Sequence, residues 1–164
     1  MKKILVLVVG LALAASVFAS TTTVQSRKFS VGVTGLNISN NNSPAMTGSM
    51  NIIPGFTMVG SIGTIINSNS DNVTTGSLFG KFFTKYNNKV NLFCGPSISF
   101  YNFKTITTAV SFNAGAEYFI KPNLSFEAYL TPISSITYDG SSSVQLLKGS
   151  PAAPLVNAGF NLYF

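Results

Sequence analysis

Between Ile106 and Ile120 the side chains change character with a period of two. The even positions read Ile106, Thr108, Val110, Phe112, Ala114, Ala116, Tyr118 and Ile120, and the odd ones Thr105, Thr107, Ala109, Ser111, Asn113, Gly115, Glu117 and Phe119. Successive residues of a strand point to opposite faces, so this spacing specifies a β-strand with one apolar and one more polar face. An amphipathic helix would need its apolar residues three and four apart. After Lys121-Pro122-Asn123 the alternation resumes, with Leu124, Phe126, Ala128 and Leu130 set against Ser125, Glu127, Tyr129 and Thr131. The last segment repeats it: Val156, Ala158, Phe160, Leu162 and Phe164 share one face, and Asn157, Gly159, Asn161 and Tyr163 the other.

Turn residues divide the remainder into strands of similar length. The pattern predicts strands at 28–39, 45–53, 56–66, 73–86 and 90–101, joined by Asn40-Asn41-Asn42-Ser43-Pro44, a tight Pro54-Gly55 turn, residues 67–72, the turn Asn87-Asn88-Lys89 and a short link at 102–104. With the three strands above this makes eight. Residues 132–153 read as a long loop rich in Ser, Gly and Pro. Two places break the pattern: the first strand changes phase near Gly35, which suggests a bulge or a strand boundary placed elsewhere, and Phe79 and Phe83 share a face with Lys81 and Lys85.

Alternation alone does not separate a soluble sandwich from a membrane barrel. Strand length does better, because strands of about ten residues suit a tilted crossing of a bilayer, whereas about 5–6 is usual elsewhere. Charge is also scarce. Only 9% of residues are charged against 46% hydrophobic, with a mean hydropathy of +0.37, where an ordinary soluble domain carries roughly 25% charged residues. The acids on the strands, Glu117 and Glu127, fall opposite the apolar row. Within lipid every backbone group must find a partner inside the protein, so a strand-built span has to close on itself. The fold predicted is therefore all-β, an eight-stranded antiparallel up-and-down transmembrane β-barrel, with a soluble secreted β-sandwich as the architectural rival.

The start of the chain has a different character. Lys2 and Lys3 precede the apolar run Ile4 to Ala15, and Ser16-Val17-Phe18-Ala19 offers small residues before a cut between Ala19 and Ser20. This reads as a cleaved signal peptide over 1–19, with one β-barrel domain over 20–164. No stretch after Ser20 reaches the 18 consecutive apolar residues of a spanning helix. Cys94 is the only cysteine, so no intrachain disulfide exists, and it reads as a small apolar strand residue.

Two segments carry a resemblance. Gly159-Phe160-Asn161-Leu162-Tyr163-Phe164 resembles the C-terminal β-signal of bacterial outer-membrane proteins, a glycine followed by alternate hydrophobic residues and a terminal Phe. Residues 115–129, with Gly115-Ala116-Glu117-Tyr118, a short turn containing Asn123 and an aromatic second strand, are similar to a hairpin of the small eight-stranded barrels related to the transmembrane domain of outer-membrane protein A. The resemblance implies a porin-like barrel in the bacterial outer membrane, surrounded by lipid. It also implies that the barrel-assembly machinery reads Gly159, Phe160, Leu162 and Phe164 during insertion; Phe160, Leu162 and Phe164 also read simply as lipid-facing strand positions. Trp is absent, so an aromatic girdle must come from Phe and Tyr, with Tyr86, Phe100, Tyr118 and Phe164 near strand ends.

The chain has little chemistry to offer a reaction. It contains no His, and by resemblance the enzymatic eight-stranded barrels rely on one, so no enzymatic activity, catalytic residue, cofactor or metal site is predicted. Two of the basic residues behind the net charge of +6, Lys2 and Lys3, belong to the signal segment, and the remaining lysines and Arg27 form no cluster, which suits headgroup contact better than nucleic acid. Lys81, Lys85, Glu117 and Glu127 are expected to meet as ion pairs that fill the lumen, since eight strands leave room only for side chains or one small ligand. The function predicted is a structural or surface-interaction role through outer loops, with Tyr138, Asp139 and Gly140 on the surface. A small channel or single-ligand carrier is the alternative.

Overall fold

A computed structural model describes residues 28–35, 44–65, 73–85, 87–101, 107–138, 140–147 and 155–164. The expected signal segment, its Ala19/Ser20 junction, Tyr86 and Asp139 lie outside the described residues. The secondary structure described is β only: β1 (Phe29–Thr34), β2 (Ala45–Ile53), β3 (Phe56–Ile65), β4 (Val73–Lys85), β5 (Val90–Tyr101), β6 (Thr107–Lys121), β7 (Leu124–Tyr138), β8 (Ser141–Leu146) and β9 (Val156–Tyr163). No helix among the described residues is long and apolar enough to cross a membrane.

Antiparallel neighbours run in sequence order from β1 to β7. β9 then pairs with both β7 and β1, which closes eight strand positions into a barrel. The closing seam is set residue by residue, from Ser30 opposite Tyr163 to Thr34 opposite Gly159. Gly159 is needed there, because a Cβ on it would press against the Val33 carbonyl and the Thr34 backbone.

The eighth position is shared, and the sequence expectation of a loop over 132–153 is corrected here. β7 continues to Tyr138 and folds back into β8, so Ile133 lies opposite Leu146 and Tyr138 opposite Ser141, while β9 pairs with the other half of β7, from Leu124 to Leu130. The physical reason is a bulge. Phe112 pairs with Ile133 but Ala114 with Leu130, so Thr131 and Pro132 together stand opposite Asn113. Pro132 lacks an N–H and is accommodated at such an irregularity. The bulge also inverts the phase of the alternation, which hides the strand continuing beyond it. Gly140, at φ 74°, makes the tight turn into β8.

The two faces of the wall differ as the alternation requires. Phe29, Val31, Met46, Met50, Ile62, Leu78, Val110, Ile120, Leu130, Phe160 and Leu162 are exposed on the outside. Ser30, Thr57, Ser111, Asn113, Ser125, Thr131, Asn157 and Asn161 are buried within. This is inside-out relative to a soluble protein, and it matches a wall solvated by hydrocarbon. At about 3.4 Å per residue and a tilt of about 45°, ten residues cover the roughly 25 Å apolar band of an outer-membrane barrel. From Ile120 that reaches Val110, and the outward residues beyond turn polar at Thr108, Thr137 and Ser142.

Candidate functional site

The lumen is where buried chemistry collects. β4 delivers Phe79, Lys81 and Phe83 inward on alternate residues, and all three are buried. The mixed row of Phe and Lys on this strand therefore faces the interior. Phe79, Phe83, Phe93 and Val59 form the apolar cluster, with Tyr129 packed against it. Ring centroids lie 5.6 Å apart for Phe83 and Phe93 and 5.6 Å apart for Phe79 and Tyr129. The last contact spans from β4 to β7, which are not neighbours in the wall, so the side chains meet across the lumen.

Lys81 crosses the same gap. Its Nζ sits 2.5 Å from Glu127 Oε2, with both side chains almost wholly buried, and lies 4.7 Å from the Phe93 centroid and 5.3 Å from that of Phe79. The ammonium is thus held by one carboxylate and two aromatic faces. Asn161 Nδ2 donates to the same Glu127 oxygen at 2.9 Å. Glu117 is the direct cross-strand partner of Glu127, yet it takes different donors: Ser125 Oγ at 2.5 Å and the Tyr163 hydroxyl. Two carboxylates side by side repel, and Lys81 is the cation held beside them. The side chain of Lys85 lies outside the described residues. Tyr163, Ser125 and Asn161 were not singled out from the sequence; they sit on the polar rows of their strands, and that was their only signal.

Toward the Tyr138 end of β7 the polar network continues, among the described residues, without charge. Thr131 Oγ1 donates to Asn113 Oδ1 and Asn113 Nδ2 donates to Ser97 Oγ, each at 2.7 Å. Ser111, Ser134 and Gln145 follow in register across β6, β7 and β8, their side-chain oxygens buried. Beyond them Tyr101 and Ile136 pack on Ala109. Cys94 is a buried free thiol. Among the described residues no group of three His, Cys, Asp or Glu gathers that could hold a metal ion.

The remaining predicted residues lie on the outside or at the tips. Phe160, Leu162 and Phe164 are exposed on the outward face, and the Phe160 ring packs on Phe126 at 5.2 Å. Tyr138 is exposed at the end of β7, beside Gly140 and the exposed run Ser141 to Val144, where Thr137 and Ser142 hydroxyls meet at 2.9 Å. Phe100, Tyr118 and Phe164 are exposed near strand ends.

Comparison with known proteins agrees with this architecture. No protein-family profile matches the sequence, and no curated protein is significantly similar to it. Among solved structures the chain is similar to the outer membrane protein Ail of Yersinia pestis in a phospholipid nanodisc, with a TM-score of 0.51 at 11% identity over 85% of this chain and 100% of that one. A crystal structure of Ail, the attachment invasion locus protein of the same organism, matches less closely, with a TM-score of 0.38 at 13% identity over 83% of this chain and 93% of that one. At such identity the nanodisc structure speaks for the fold: a small, closed, eight-stranded outer-membrane-type β-barrel.

Proposed function

We propose that this chain is an integral outer-membrane β-barrel, closed to permeation by its own side chains, whose role is structural or one of surface interaction through its outer end. The observation carrying this is the bridging of the lumen by Lys81 and Glu127, with Phe79 and Tyr129 meeting beside them. A barrel wall with an apolar exterior and a filled interior leaves its ends as the surfaces free to contact other molecules. At the outer end the β7–β8 hairpin presents Tyr138 and the serine run. No catalytic group is assigned.

Planar-bilayer recordings test the closed lumen. The reading predicts no steady single-channel conductance, and a steady open level would replace it with the small-channel alternative. The assembly role of the final strand is tested in cells. Phe164→Ala is predicted to lower the amount of protein reaching the membrane, while the purified variant refolds into detergent micelles like wild type. Equal losses in both settings would assign Phe164 to barrel stability alone.

A further inference from the structure

Among the described side chains every exposed charge is a lysine, and all lie at one end: Lys28 before β1, Lys89 in the β4–β5 turn and Lys121 at the end of β6. The acids described are the two buried in the lumen. The sequence places Asp71 and Asp139 in the links between β3 and β4 and between β7 and β8, at the opposite end. The lysine end carries the short turns Pro54-Gly55, 86–89 and Pro122-Asn123, whereas the opposite end, besides the tight turn at Gly140, has the longer links 35–44, 66–72 and 102–106. Short turns face the periplasm in outer-membrane barrels, so this rim lies at the inner leaflet.

Each lysine stands beside outward apolar residues. The Lys28 carbonyl accepts a hydrogen bond from Asn51 N at 2.9 Å, which sets it near Ile53, and the next residue, Phe29, accepts one from Phe164 N at 3.0 Å. The Lys89 carbonyl accepts from Phe119 N at 2.8 Å, which brings Lys89 beside the strand end carrying Tyr118, Ile120 and Lys121. Phe29, Ile53, Tyr118, Ile120 and Phe164 are all exposed. An apolar belt capped by ammonium groups has the amphipathic order of a leaflet boundary, acyl chain below and phosphate above. Lysine stems lie along such a belt while their heads reach the phosphates.

We propose that this rim is a docking surface for anionic phospholipid headgroups of the inner leaflet, selected by Lys28, Lys89 and Lys121. A basic side chain near an anionic surface favours it by about 1 kcal/mol, or about fivefold per lysine engaged. The selection is electrostatic at an exposed site, so it weakens as salt shortens the screening length.

The test uses the full chain in phosphatidylcholine vesicles with trace spin-labelled phosphatidylglycerol or phosphatidylethanolamine, reading the motionally restricted boundary lipid by electron spin resonance. Phosphatidylglycerol is expected to be enriched over phosphatidylethanolamine, with the enrichment falling as NaCl rises from about 0.05 to about 0.5 M. K28Q/K89Q/K121Q should bring the ratio to one, whereas K104Q, which removes charge from the link between β5 and β6 at the other end, should leave it intact. A ratio of one in wild type, an unchanged ratio in the triple variant, or an equal loss in the control variant would overturn the assignment. Should the triple variant fail to insert, the arginine triple variant must keep the enrichment and K121Q alone must lower it.

Discussion

Replacing Lys81 by Met probes the bridge across the lumen with little change of side-chain shape. The aliphatic stem still packs on Phe79 and Phe93, but Glu127 loses Lys81 and, among the described side chains, keeps Asn161 as a donor. Its cross-strand neighbour Glu117 adds a second carboxylate at the same depth. Removing one partner of a buried ion pair costs about 3–5 kcal/mol, because the other charge is left in a low-dielectric interior. With a denaturant slope of about 2 kcal/mol per M of urea, a loss of about 4 kcal/mol lowers the unfolding midpoint by about 2 M. The assay is urea unfolding of the barrel in detergent or thin bilayers, followed by heat-modifiable gel migration. The double variant Lys81→Met with Glu127→Gln should be less damaged than Lys81→Met alone, since both charges are then gone and Asn161 can still hydrogen-bond the amide. A midpoint shift below about 0.5 M for Lys81→Met, or additive losses in the double variant, would refute the reasoning.

Other substitutions separate the two faces of the wall. Phe93→Ala empties the centre of the aromatic cluster, where Phe93 is 2% exposed, and is predicted to cost about 3–5 kcal/mol in the same unfolding assay. Gly95 is required because a Cβ there would strike the Gly80 carbonyl of the neighbouring strand; Gly95→Ala should lose about 3 kcal/mol or more. Gly48 has open space around its Cβ position, and Gly48→Ala should stay within about 0.5 kcal/mol of wild type. Leu130, half exposed on the outward face, is set against lipid, so Leu130→Arg should cost about 2–4 kcal/mol in a bilayer. An indifferent response of Leu130→Arg in lipid would argue that this face meets water.

Most of the wall was legible from the period of its hydrophobic residues. β2, β3, β5 and β6 fall within a residue or so of the spans that alternation and turn chemistry specify, because turn residues such as Pro54-Gly55 and Pro122-Asn123 act locally. Glu117 and Glu127 could be placed inside by parity alone. The continuation of β7 could not, since the Thr131–Pro132 bulge shifts the phase and a serine-rich strand lacks the apolar residues that announce one. Which groups meet across the lumen was equally hidden. The partners Lys81 and Glu127 are 46 positions apart, and their meeting depends on barrel closure and stagger, which no local pattern encodes. Tyr163 joins Glu117 for the same reason. The row of Phe79, Lys81 and Phe83 looked contradictory only because polarity was used as the sign of the inner face; in a filled lumen, aromatic rings and an ammonium are compatible neighbours.

The central claim is a lipid-solvated wall around a packed interior, and spin-label accessibility along β6 tests it most directly. In a background where the buried Cys94 is replaced by Ser, single cysteines from Val110 to Ile120 are labelled in bilayers and their collision rates with oxygen and with a water-soluble nickel complex are measured. The account predicts oxygen accessibility with a period of two, high at Val110, Phe112, Ala114, Ala116, Tyr118 and Ile120 and low at the odd positions between them, with little nickel access in the middle of the strand. Nickel access at the even positions, or no period-two contrast, would contradict it.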